Sequence, residues 1–526
     1  MYASVKSAGL RGFSAELVTV EVDLSSGLPR FDLVGLPNSA VSESKERVRS
    51  AVRSCSFQFP ISRITVNLAP ADFRKEGPIY DLPIFTAMML ADGQILSGQK
   101  TLERKLKELE TSVFLGELSL NGDVRRVRGV LPMLIAAREH GMKEAFIPAG
   151  NAREATAVSD ALRVYPVRTL SELLAHLRGE TLITPVEPVA FEELVRRSRS
   201  AGAPDFSEVV GQKEARRALE ISAAGGHNVL LVGPPGSGKS MLAKRLPGIL
   251  PEMTFDEALE TTNIYSVGGL LPEDLPLMVE RPFRSPHHTA TLAAMTGGGA
   301  QALPGEVTLA HNGVLFLDET PHFQRQVLEA LRQPLEDRSI TIVRSRFRAT
   351  YPGNIQVVGA MNPCPCGYHG VPYAENGQVC SCSLPDIRRY VERLSGPFLD
   401  RIDIHVRVRP VPERLLLEAK PAECSADIRA RVVAARALQK ARFAGSGIRC
   451  NAGMTRAQVT EFCALDERGQ DLLLAAHEKN GFSARSHDKI LKVARTIADL
   501  AGSADIRTEH LAEAIQLHAI DRYIDP

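Results

Sequence analysis

The sequence predicts an α/β protein: a parallel-sheet core at 205–410, an α+β region before it at 1–180, and an all-α region after it at 411–526. Three observations predict this. Two apolar runs, Val229–Val232 and Val314–Leu317, have the length of fully buried parallel strands, and each runs into a loop carrying glycines or carboxylates. Period-two segments bounded by turn residues dominate the first 150 or so positions. Apolar stripes at helical spacing dominate the last hundred. At 526 residues the chain is too long for one core, and a proline-punctuated stretch within 181–204 reads as a connector.

In the first region, Leu17–Leu24 alternates like a strand and ends at a Ser-Ser-Gly-Leu-Pro turn, with Phe31–Val34 as a second strand. Valines among Arg and Glu predict a helix over Ser39–Ser54. Ile64–Leu68 reads as a strand and Asp81–Ala91 as an apolar helix. A strand at Phe114–Leu118, a hairpin turn at Asn121-Gly122, a helix near Leu131–His140 and a strand at Ala145–Pro148 follow. The stretch Lys75-Glu-Gly-Pro-Ile79-Tyr-Asp81, with Gly116–Gly122 and Val127-Arg-Gly129, resembles the proteolytic domain of Lon-type proteases, which implies a ribosomal S5 domain 2-like fold. Ile79 stands where that family has its serine, and Leu131 where it has its lysine. Neither side chain can serve as nucleophile or base, so a pseudo-protease domain without peptidase activity is expected.

The chemistry-bearing motif follows the first apolar run. Gly233, Pro234, Pro235, Gly236, Ser237, Gly238, Lys239 and Ser240 fit the G-x-x-x-x-G-K-[ST] phosphate loop at every fixed position. The glycines let backbone N–H groups turn toward an anion, and a helix beginning near Lys239 aims its positive end at the same phosphates. Lys239 is placed for the β- and γ-phosphates of ATP and Ser240 for Mg²⁺. The second apolar run ends in Asp318, placed for Mg²⁺ through water, and Glu319, placed to deprotonate an attacking water. Upstream, the segment Asp205–Gln212 is expected over the adenine, with Gln212 counted among the nucleotide-binding residues; a plain covering helix without base contact is the alternative. Between Ser240 and Val314, Arg281–Ala310 reads as an insertion whose glycines Gly297–Gly299 form a loop tip. Its His287-His288 pair is read as loop hydrogen-bonders, because adjacent side chains converge poorly on one ion.

Beyond Glu319, a helix over Arg325–Gln333 is expected to stop at Pro334. Arg344, Arg346 and Arg348 then alternate onto one face of a strand or hairpin, suited to a DNA backbone; a charge-guarded edge strand is the alternative. The strand Ile355–Met361 ends at Asn362, a candidate γ-phosphate sensor. Cys364, Cys366, Cys380 and Cys382 form two C-x-C pairs, a candidate tetrahedral zinc site, with free thiols or a redox pair as alternatives. Arg401, before the last core strand, is the candidate arginine finger for a neighbouring subunit, with Arg393 second. In the last region, helices are expected at Ile428–Phe443, Thr455–Phe462, Glu467–Asn480, Ser483–Leu500 and Thr508–Ile520. Arg485 is placed as a second phosphate sensor, with a surface salt bridge as the alternative.

Composition narrows the partners. With 63 basic against 62 acidic residues the chain has no global basic signature, so any nucleic-acid surface must be local. The N-terminus lacks a signal-peptide layout and no apolar run is of membrane-spanning length, so a cytoplasmic protein with no membrane partner is expected. Eight cysteines in that setting argue for reduced thiols or metal ligands.

Together the phosphate loop, the insertion before Asp318, the arginine hairpin, Asn362, Arg401 and Arg485 resemble the AAA+ ATPases of the magnesium-chelatase branch. With the Lon-like region and Cys364-Pro-Cys366-Gly-Tyr, the resemblance narrows to the ComM/YifB Mg chelatase-like family along essentially the whole chain. It implies a cytosolic ATP-driven DNA helicase, a ring hexamer that promotes branch migration on single-stranded and branched DNA during natural transformation, beside recombination proteins. Its His487-Asp488-Lys489 departs from the family pattern of an aromatic first and an arginine last. The rival classes are a chelatase motor and a protein-remodelling chaperone. A chelatase motor is not expected to carry the front region or the C-x-C pairs.

Overall fold

The computed structural model describes residues 1–55, 57–95, 102–199, 202, 204–298, 303–344, 347–370, 379–411, 422–480 and 482–518. The chain divides into two compact units.

The first unit comprises Met1–Arg197 with Thr254–Val279 and Thr341–Tyr351. Its strands are β1 (Tyr2–Arg11), β2 (Ser14–Ser25), β3 (Arg30–Val34), β4 (Arg63–Ala69), β5 (Ser112–Phe114), β6 (Glu117–Leu118), β7 (Val124–Arg125), β8 (Glu144–Pro148) and β9 (Arg163–Val167). Seven of them form one sheet in the order β3-β4-β2-β1-β5-β8-β9, while β6 and β7 make a separate hairpin. β1 and β2 fold back antiparallel from the Arg11↔Ser14 pair, and the alternation of β2 turns Val18, Val20, Val22 and Leu24 inward. The helix Asp81–Ala91 is apolar all round and lies on β1 and β2 with nearly every side chain buried. The predicted helix over Ser39–Ser54 forms as two pieces, Ser39–Ser42 and Ser44–Ser54.

A helix from the middle of the chain, Phe255–Gly268, belongs to this unit. Thr254 and Glu257 close a capping box at its start and Gly269 ends it in the left-handed region. It packs on the helix Val130–Glu139. Ser266 donates to the Glu154 carboxylate at 2.7 Å and accepts from the Gly129 amide at 2.9 Å. The sequence reading runs the motor core unbroken through these residues; the contacts group them with the front unit instead.

The second unit holds β10 (Val229–Val232), β11 (Phe283–Arg284), β12 (Gly297–Gly298), β13 (Leu303–Pro304), β14 (Val314–Leu317), β17 (Gln356–Met361) and β18 (Ile404–Arg407), whereas most of the paired strands β15 (Ser339–Arg344) and β16 (Phe347–Pro352) falls in the stretch Thr341–Tyr351 of the first unit. The core sheet is fully parallel, in the order β11-β14-β17-β10-β18. β10, β14 and β17 are buried residue for residue, as the continuous apolar runs require. Phe283 and Arg284, read from the sequence as insertion, are therefore a core strand paired with Val314 and Leu315. Pro334 does not stop a helix either. It sits in the first turn of a second short helix, Arg332–Asp337, where the missing amide costs no hydrogen bond.

The all-α region contains helices Ser425–Arg442, Arg456–Phe462, Glu467–Asn480, Ala484–Leu500 and Thr508–His518. The stripe Ile490, Val493, Ala494 and Ile497 is buried. Arg442 grips Asp499 with two hydrogen bonds, at 2.6 and 2.9 Å.

Candidate nucleotide-binding site

The phosphate loop joins β10 to the helix Lys239–Ile249. Gly238 has φ +92, a conformation that costs an L-residue dearly, and a Cβ on it or on Gly236 would point into open space. Gly233 is needed for a different reason: its Cβ would overlap the Val408 carbonyl oxygen. Ser237 Oγ is buried in the loop and has no hydrogen-bond partner among the described residues. Left-handed glycines before a helix N-terminus, with that hydroxyl beside them, suit a polyphosphate.

Lys239 Nζ donates to the carbonyls of Gly233 and Pro234 at 2.8 and 2.9 Å, and to Asn362 Oδ1 at 3.1 Å. Burial draws its ammonium down to about 8, against the opposing pull of Asp318 and Glu319. Ser240 Oγ donates to Asp318 Oδ2 at 2.9 Å, so two hard oxygen donors of the kind that would hold Mg²⁺ come together. Gln212, in the left-handed region at φ 52, donates from Nε2 to Ser237 O at 3.1 Å and Arg409 O at 2.6 Å. Its amide nitrogen braces the phosphate loop.

Glu319 also has positive φ, at 49, as the chain leaves β14. His288 and His322 each bring Nδ1 to 3.3 Å from its Oε2. His287, by contrast, bonds Thr289 Oγ1 at 2.8 Å, the local loop role the sequence suggests. His322 has no spacing signal in the sequence and was not foreseen.

The four cysteines come together: one sulfur from each of Cys364, Cys366, Cys380 and Cys382 lies within 4.8 Å of the others. The Gly367 amide donates to Cys364 Sγ at 3.2 Å, the kind of N–H···S contact that supports a thiolate. Burial works to raise the Cys366 thiol, but hydrogen bonds from the Tyr368 amide, Cys364 and the Ser381 amide bring it to about 6, while burial raises the Cys380 and Cys382 thiols, so Cys366 is the member of the set that ionises first. Such a set suits zinc. The loop also leans on the phosphate loop, since a Cβ on Gly367 would come within 2.5 Å of Pro235 Cδ.

Arg401 is not presented as expected. It is buried, donating to Pro397 O at 2.6 Å and paired with Glu336. A role in a neighbour's pocket would require it to exchange Glu336 for that partner. Arg393 is exposed. Arg485 is largely exposed, 3.7 Å from Asp400. Lys489, from the same helix, is partly buried beside Asp403 at 4.0 Å and donates to Ile402 O at 2.9 Å, so the helical region holds the segment that carries Arg401. Arg346 and the side chains of Arg344 and Arg348 lie outside the described residues, as does Gly299. In the first unit, Ile79 and Leu131 are both core side chains.

Three family descriptions match the chain. "Magnesium chelatase, subunit ChlI" matches residues 205–416, "Subunit ChlI of Mg-chelatase" matches 20–151, and "Magnesium chelatase, subunit ChlI C-terminal" matches 422–518. A chelatase-named family thus spans much of the front unit, so that unit does not by itself separate the chain from chelatase subunits, contrary to the sequence argument. Among individual relatives, competence protein ComM of Haemophilus influenzae is 43% identical over 99% of this chain and 98% of its own length. YifB of Escherichia coli is 41% identical over 98% and 96%. A Lon protease of Brucella suis is 27% identical over 34% of this chain and 21% of its own.

Proposed function

The chain belongs to the ComM/YifB family of Mg chelatase-like AAA+ ATPases, and from that premise we propose that it is an ATP-driven DNA translocase promoting branch migration on incoming DNA during natural transformation. The carrying observation is the 43% identity, over nearly the full length of both chains, to a protein named for competence. In this reading Lys239 holds the β- and γ-phosphates, Ser240 and Asp318 hold Mg²⁺, Glu319 is the general base, and Asn362 and Arg485 sense the γ-phosphate. Bound Mg²⁺ would offset the charge of the phosphates and the developing charge on the leaving oxygen. Lys239 supports the same assignment by sharing Asn362 with its own loop, so one phosphate oxygen entering the pocket could address both. Arg344, Arg346 and Arg348 are assigned to the DNA backbone, Arg401 to a neighbouring subunit's nucleotide within a hexamer, and the four cysteines to zinc. Metal analysis tests the last point: about one zinc per chain is expected, lost in Cys382→Ser, and an equal zinc content in both would refute it.

The functional test is strand displacement on forked and three-way DNA junctions with Lys239→Ala as control. ATP-dependent displacement absent from the control supports the proposal, and no displacement by an ATPase-competent protein contradicts it. A chelatase motor is the second reading, favoured by the three ChlI-named family matches. It predicts ATP hydrolysis indifferent to DNA.

A further inference from the structure

Glu319 is half exposed and has three rotatable side-chain bonds, so holding its carboxylate in one place costs side-chain entropy that something must offset. Two imidazoles from different segments converge on a single oxygen of it. His322 follows in the turn after β14 and reaches Oε2 through Nδ1 at 3.3 Å. His288 comes from the segment between β11 and β12 and places its own Nδ1 3.3 Å from the same oxygen. The other oxygen, Oε1, has no hydrogen-bond partner among the described residues.

The imidazoles are themselves held. The His287 ring lies 4.1 Å from the His288 ring and is fixed by Thr289. His288 meets His322 edge-on at 5.8 Å, and His322 meets the buried Tyr390 edge-on at 6.2 Å. Four rings from three parts of the chain therefore make a row behind the carboxylate.

We propose that His288 and His322 are positioning residues for Glu319, fixing its carboxylate by Oε2 and leaving Oε1 to take the proton of the attacking water. The inference rests on the reading of Glu319 as the general base. Misplacing a catalytic group by about 1 Å can cost up to ~100-fold in rate, so loss of one of two supports should cost on the order of 10-fold.

The test compares steady-state ATP hydrolysis and binding of a non-hydrolysable ATP analogue for His288→Ala, His322→Ala, His288→Asn and Glu319→Gln, alone and combined. The expected result is a kcat about 10-fold lower for each alanine variant, with analogue affinity unchanged. His288→Asn, which keeps an N–H near the Nδ1 position, should recover most of the rate, a recovery a misfolded loop would not show. In the Glu319→Gln background the histidine changes should have no further effect, as expected for groups acting through one carboxylate. Wild-type kcat in both alanine variants, or an equal loss with and without Glu319, overturns the inference while leaving Glu319 as the base. Wild-type turnover in Glu319→Gln overturns the base assignment itself.

Discussion

Gly233 illustrates how a single hydrogen atom in place of a side chain shapes the site. Its Cα faces the Val408 carbonyl and the Ser237 hydroxyl so closely that a methyl group would force backbone apart, not merely a side chain aside. Gly233→Ala should therefore lower ATP-analogue affinity by at least about 10-fold while leaving the thermal unfolding midpoint of the protein nearly unchanged; unchanged affinity would mean the loop is softer than its packing indicates. The phosphate-loop residues and the two carboxylates were legible in the sequence because each set is contiguous and sits at the end of a buried strand. His322 was not legible, because its only signal is its distance to Glu319 in space. The burial of Arg401 was equally invisible: sequence places an arginine before a strand but cannot say that Glu336 waits for it.

At the scale of elements, the parallel sheet and the helical stripes were readable from period, and the errors fall where a short element escapes periodicity. Two residues, Phe283 and Arg284, are too few to register as a strand, and Pro334 reads as a stop unless the start of a new helix is seen. The junction between β18 and the last helix carries a pH dependence. Burial, with His518 and Lys489 nearby, draws the His405 imidazole down to about 3 despite Asp403, and burial also lowers His518. Their folded values lie below the unfolded value of about 6.5. The stabilising neutral forms are thus fully present above that pH and are lost as pH falls toward the folded values. Asp403, drawn to about 2 because His227, Lys489 and the Asn228 amide outweigh its burial, adds a loss only below about pH 4. Stability should decline between pH 6.5 and 4 by up to about 1.4 kcal/mol per pH unit for each histidine, and His405→Gln should flatten the curve. A chemical denaturation series at several pH values checks this; an unchanged slope in His405→Gln would contradict it.

For the whole molecule, the most consequential assignment is a pocket completed by a neighbour. Arg401→Ala should reduce turnover by roughly 10³-fold if its guanidinium serves an adjacent subunit. Mixing it with Lys239→Ala should then restore part of the activity, because an intact Arg401 from one chain can face an intact Lys239 in another. No recovery on mixing would confine Arg401 to its pair with Glu336. The assembly of the first unit from three separated stretches was beyond the sequence, since nothing in residues 254–279 marks them as partners of Gly129 and Glu154. The expectation that the front region lacks a peptidase dyad rests on two residue identities, Ile79 and Leu131, and both side chains lie in the core.

The claim that this is a DNA motor is tested most directly by measuring ATP turnover of the purified chain against increasing branched DNA. The account expects stimulation of at least several-fold, saturable and absent in Lys239→Ala. A turnover that is readily measurable yet indifferent to DNA at every concentration would contradict it.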